Sequence, residues 1–125
     1  MPAITESINL GDLLKYEAPN LYSRDTVTVA AGQTLALATV VGIETATAKV
    51  VQLDPVATDG SEMAVGVLIV DVDAAAADRT DGINIARHAI VADHVLVWPA
   101  SITPAQKVVA IAQLKALGIL VRVGV

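Results

Sequence analysis

The 125-residue sequence contains no cysteine. That excludes disulfide staples, thiolate catalysis and cysteine-ligated zinc, and it leaves the redox compartment open. Phenylalanine is also absent, and the aromatics are Tyr16, Tyr22 and Trp98 alone. A hydrophobic fraction of 54% must therefore rest on Ala, Val, Leu and Ile. Such small and β-branched side chains fill strands and thin layers more readily than helices. Cations are scarce: eight Lys and Arg against thirteen Asp and Glu give a net charge of −5. A nucleic-acid binder needs a basic face to neutralise phosphates, so that class is excluded. No basic stretch precedes an apolar run near Met1, and no secretory signal is expected.

Charge is missing from one longer stretch, residues 26–43, TVTVAAGQTLALATVVGI. Four Thr, Gln33 and the break at Ala31–Gly32–Gln33 divide it, so it reads as two strands around a turn and not as a membrane span. The length fits one domain, and the high apolar content argues that some surface is covered by copies of the chain or by a partner.

Residues 1–24 have mixed polarity and no sustained period, and they read as an N-terminal arm. A short helix is expected within ESINLGDLLKYE, weakened by Gly11. The anchors such an arm offers a partner are Leu10, Leu13, Leu14, Tyr16, Leu21 and Tyr22. From Asp25 to Val125 the pattern is mainly β. Strands are expected at DTVTV, LALATVVGI, ATAKVVQL, AVGVLIVDV, INIARHAIVA, HVLVW and ILVRV, with turns at Asp54–Pro55, Asp59–Gly60 and Ala92–Asp93. Ala64 to Val70 is nearly all apolar, as a strand covered on both faces would be, and Gly66 marks a bulge or a close backbone approach.

One helix is well signalled. Thr103 provides the N-cap, Pro104 the first turn and Gln106 the capping-box partner, and the run ends before Gly118. Its apolar residues do not form one stripe: Val109 lies far round the wheel from Ile111 and Leu114. A helix apolar on two sides touches its own sheet and a neighbour, so Ile111 and Leu114 are candidates for trimer or core anchors. Trp98–Pro99 is another, with a core anchor, a cis-proline turn and an interface anchor all open.

Chemistry finds little purchase. His88 and His94, with Asp93 beside the second, are too few to hold a metal, and both read as strand residues. Ser61, His88 and Asp59 make a triad only on paper, since no nucleophile-elbow pattern surrounds the serine. No phosphate-cradling glycine loop is present. Asp71 and Asp73 would share one strand face, but acids at a strand end before an Ala-rich loop mark a return to solvent. No metal and no cofactor is expected.

Several segments taken in order resemble one family. They are LGDLLKYE, YSRDTVTVAAGQTLALATVVG, DPVATDGSEMAVGVLIVDVDAAAAD, IARHAIV, VLVWPA and AIAQLKALGILVR. Together, from about residue 10 to residue 122, they resemble the head decoration proteins of tailed bacteriophages, the family of the phage lambda decoration protein. The resemblance implies a mainly β (α+β), β-clip-like domain with a C-terminal-half helix, assembled as a homotrimer. It implies a partner, the major capsid protein, bound on the outer head surface at three-fold positions through the N-terminal arms. Cementing the shell against internal DNA pressure is the implied role, without enzymatic activity or membrane contact. The protein would be made in the host cytoplasm and reside in the virion. The first 24 residues depart from the Thr- and Pro-rich arm of the lambda protein. Two other classes compete: a β-clip or SAF-like module binding carbohydrate or a small molecule at the AGQTL turn, and a small metal enzyme using His88, Asp93 and His94.

Overall fold

A computed structural model describes residues 9–123. Five strands close into a barrel in the order β2 (Arg24–Val29), β5 (Lys49–Gln52), β4 (Val40–Glu44), β6 (Gly66–Leu68) and β8 (Arg79–Ile85). A two-stranded ribbon joins β3 (Gln33–Leu35) to β7 (Val72–Ala74). A third sheet has the order β1 (Leu14–Glu17), β9 (Ala89–Ala92) and β10 (Ile119–Arg122), antiparallel on one side of β9 and parallel on the other. The helices are α1 (Leu10–Leu13), a single turn, and α2 (Pro104–Ala116). The mainly β, α+β expectation therefore holds.

Barrel strands are apolar on both faces because both faces are covered. Val40 and Val67 point into a core shared with Leu13, Val91, Leu114 and Ile119. Their chain neighbours Val41 and Leu68 enter a second core with Val29, Val50 and Val72. The period-2 alternation of a strand thus feeds two layers at once. Gly66 permits the closest strand approach. A Cβ there would collide with the Asn84 amide nitrogen and stand 2.5 Å from the Ile85 carbonyl oxygen.

Several expected strands are interrupted. LALATVVGI breaks at residues 36–39, where Ala38 takes φ 79°, and resumes as β4. The run from Ala64 to Val70 is buried for most of its length, but only Gly66–Leu68 is strand, and Val72–Ala74 pairs in the separate ribbon. INIARHAIVA is two strands in different sheets, with His88 at φ 49° in the turn between them. HVLVW is not a strand: Asp93–Val95 forms a 3₁₀ turn and Val97 makes a single bridge to Thr39. Apolar runs signal burial in each case, and burial does not require an unbroken ladder.

The predicted helix agrees with the structure. The Thr103 hydroxyl accepts from the Gln106 N–H at 3.1 Å, and the Thr103 N–H donates to the Gln106 side chain at 2.9 Å. Pro104 opens the helix and Gly118 follows it at φ 83°. None of the described helices is long and apolar enough to cross a membrane.

Candidate functional site

The groups with chemical potential are dispersed and already engaged. Among the described residues no three His, Asp or Glu come together as metal ligands. Ser61 donates its hydroxyl to Asp59 at 2.5 Å, and its N–H donates to the same oxygen at 3.0 Å. His88 instead lies against Tyr22, Ser23 and Gly118. The triad is therefore not assembled: Ser61 belongs to an Asx turn that shapes the Asp59–Gly60 corner. Gly60 at φ 104° completes that corner.

The remaining acids pin loops. Asp71 accepts the Leu37 N–H at 2.7 Å, and Asp73 accepts the Ala75 N–H at 3.1 Å. Asp78 accepts the Ala31 N–H at 2.8 Å and pairs with Lys49 at 2.6 Å. They are exposed, as expected of a return to solvent, but each also holds a turn. His94 is exposed on the 3₁₀ turn, away from the strand position expected for it.

These pairings have a pH signature. The Ser61 hydroxyl and N–H hold the Asp59 carboxyl below its ordinary range, and Lys49 with the Ala31 N–H does the same for Asp78. Hydrogen bonds from Arg79 lower Asp81, and those from Arg24 lower Glu17. Carboxyls depressed in the folded state add stability that is complete above their unfolded values and lost as pH falls through the folded ones. The melting temperature should stay level down to about pH 5 and fall below about pH 4. A melting curve series across that range checks it; a flat profile to lower pH would contradict these pairings.

The N-terminal segment makes the most specific surface. Asn9 and Asp12 cap α1 reciprocally, with N–H to side-chain distances of 3.0 and 3.1 Å. The turn delivers Leu13 into the core, where it is wholly buried, and Leu10 and Leu14 pack beside it. Leu13 is therefore a core residue and not an available anchor: capped local geometry turns its side chain inward. β1 then pairs with β9 through Leu14, Tyr16 and Glu17. The division drawn at residue 24 falls inside the ladder, since β2 begins at Arg24. Residues 1–8 of the expected arm lie outside the described residues.

After β1 the chain makes a tight corner at Pro19–Leu21, with Asn20 and Leu21 both at positive φ. Asn tolerates that conformation; for Leu it costs on the order of 1–2 kcal/mol. The corner throws Leu21 and Tyr22 outward, 61% and 54% exposed, near Tyr16 in sequence, itself 54% exposed. Ser23, fully buried, anchors it: its hydroxyl donates to the His88 carbonyl at 2.8 Å and accepts from the Ala18 N–H at 3.0 Å. Arg87 donates to the Tyr22 carbonyl and to Asp25, each at 2.6 Å, with its guanidinium 5.4 Å from the Tyr22 ring centre. His88 meets the same ring at 5.3 Å. The result is three exposed apolar side chains within seven residues, the corner that carries Leu21 and Tyr22 being tied to the domain by Ser23 and Arg87. Sequence inspection named the tyrosines but missed Ser23 and Arg87, because their partners lie up to 65 residues away.

The other anchors separate. Leu114 is fully buried, whereas Ile111 is half-buried beside β10. Trp98 is half-buried against the core with the Lys107 ammonium 5.9 Å from its ring centre. The described peptide bonds are all trans, so Trp98–Pro99 is not a cis-proline turn.

No curated protein matches the chain. A family model, that of the bacteriophage lambda head decoration protein D, matches residues 3–119. The match begins at residue 3, upstream of residue 10, where the resemblance read from the sequence begins. Covering nearly all of the chain, it shows that this protein belongs to the bacteriophage lambda head decoration protein D family.

Proposed function

We propose that this phage head decoration protein binds the outer surface of the capsid as a β-clip-like homotrimer at three-fold positions. There it cements neighbouring major capsid proteins against the pressure of packaged DNA. The family match over residues 3–119 carries the reading. The exposed Tyr16, Leu21 and Tyr22 support it: aromatic side chains on a tethered backbone lose little entropy on docking. The mechanism is mass action. A protein that binds only the assembled shell stabilises that state by the free energy of its own binding. Three chains per trimer multiply modest contacts through effective concentration.

Sedimentation with heads stripped of decoration tests the reading directly. The wild-type chain should co-sediment and raise the temperature at which heads release DNA. Replacing Tyr16 and Tyr22 together by Ser should weaken binding at least about tenfold. The melting temperature should barely change, since both rings are more than half exposed. Undiminished binding would remove these side chains from the contact. The arm is tested by deleting residues 1–8, because a longer deletion would take Leu13 out of the core.

A further inference from the structure

A three-fold ring places demands on its subunits that the surface of this chain can be searched for. Rotational symmetry other than two-fold needs a heterologous contact, in which one patch meets a different, complementary patch on the next copy. Two grooves of opposite charge are present. The first lies between α2 and the edge strand β10 and is lined by Ile111, Lys115, Leu120, Val121 and Arg122. Its charges are both positive, and neither Lys115 nor Arg122 has an ion-pair partner among the described residues. Four of the six cations elsewhere are neutralised, by Glu17, Asp78, Asp81 and Asp25. In a chain of net charge −5, a groove with two free cations and no acid is conspicuous.

The second groove carries Glu44, Asp54 and Asp59 and is closed by Pro99 and Ser101. None of these acids is ion-paired among the described residues. Ser101 precedes α2 by three residues, whereas Ile111 and Lys115 sit in its C-terminal half. The grooves thus lie toward opposite ends of a 13-residue helix, about 20 Å long. Along the helix between them Val108 is 68% exposed on the side of Ile111 and Lys115, with the exposed Lys107 beside it. Val109, 55% exposed, lies on another side of α2, by a hollow lined by Leu53, Pro55, Glu62 and Ala105.

We infer that these two grooves are the contact between copies, with the acidic groove of one chain seated on the Lys115–Arg122 groove of the next. The occupant is a second copy because both halves of the charge complement are present on one chain. Apolar burial at Val108 and Ile111 supplies affinity, and the charged grooves set direction and register. The inference deepens the trimer reading and rests on it for the number of chains in the ring.

Light scattering across a concentration series, at low and high salt, tests it on the full chain. Lys115→Glu with Arg122→Glu should weaken association at least about tenfold, and so should Glu44→Lys with Asp54→Lys. Thermal unfolding of dilute protein verifies that each variant folds. All four substitutions together should restore association, which mere loss of fold would not allow. Association of the wild type should also weaken as salt rises. Reversed pairs that assemble like the wild type would overturn the inference and leave the trimer reading standing. So would a Lys115/Arg122 variant that assembles normally but fails to sediment with stripped heads, since that groove would then face the shell. Dimers sensitive to the reversals would support the groove contact while overturning the trimer. A wild type monomeric at every concentration would overturn both.

Discussion

Replacing Leu13 by Ala should cost about 2–5 kcal/mol of folding stability. Leu13 has no exposed surface and shares a core with Val40, Val91, Leu114 and Ile119. Truncation there removes transfer free energy and leaves a cavity that the barrel and α2 cannot both close in on. In a domain of this size the melting temperature should fall by roughly 10 °C or more. Protein concentration must be held fixed in the comparison, because the proposed self-association would add its own stabilisation. Tyr16→Ala, two residues into β1 and more than half exposed, is the control and should change stability by less than about 0.5 kcal/mol. Equal melting temperatures for the two variants would mean that the N-terminal segment does not belong to the domain. The same comparison decides how the arm is drawn. A segment whose fourth helical residue closes the main core cannot detach without opening that core.

The second large effect is expected at Gly66. An added Cβ would press on the Asn84 side chain and on the Ile85 backbone, within the ladder that joins β6 to β8. Side chains swing aside; paired backbone does not. Asn84 is itself buried, so little room is available for rearrangement. Gly66→Ala should cost about 3 kcal/mol or more, through strand displacement and disturbed pairing at a barrel seam. Gly11→Ala supplies the contrast. Gly11 is exposed on α1 and its added Cβ would meet only the Asn9 side chain, at 3.3 Å. That change should stay within about 1 kcal/mol. Denaturant midpoints for the two variants measure the difference, and a small effect at Gly66 would contradict the close β6–β8 approach.

The Leu13 and Gly66 cases mark two kinds of legibility. Gly66 was flagged by pattern alone, as a glycine inside an apolar run, and the structure supplied only the identity of what it faces. The α2 caps were equally readable, because Thr103, Pro104 and Gln106 act on one another within four residues. Leu13 was misjudged because nothing local distinguishes an apolar residue that enters a core from one that meets a partner. Its neighbours Leu10 and Leu14 were ambiguous for the same reason, and both flank the core.

The strand breaks follow the same division. AVGVLIVDV is one apolar run, and both cores claim its residues, yet the chain leaves the barrel after Leu68 and enters the ribbon at Val72. Hydrophobicity reports that a residue is buried; the identity of the pairing strand is set by partners distant in sequence. Ser23 and Arg87 show the limit most plainly. Their polar side chains carry no pattern, and their hydrogen bonds to residues 65 positions away tie down the corner.

Composition, short-range capping and alternation were thus enough to establish an acidic, cysteine-free, mainly β domain with a capped helix at Pro104–Ala116. Those properties depend on residue type and on contacts within a turn or two. Folding alone decided that Leu13 is core while Tyr16, Leu21 and Tyr22 are surface, and that one groove gathers acids and another Lys115 with Arg122. Such outcomes are set by contacts between segments far apart in the chain, where the free energy depends on which surfaces meet and not on the order of residues along either one.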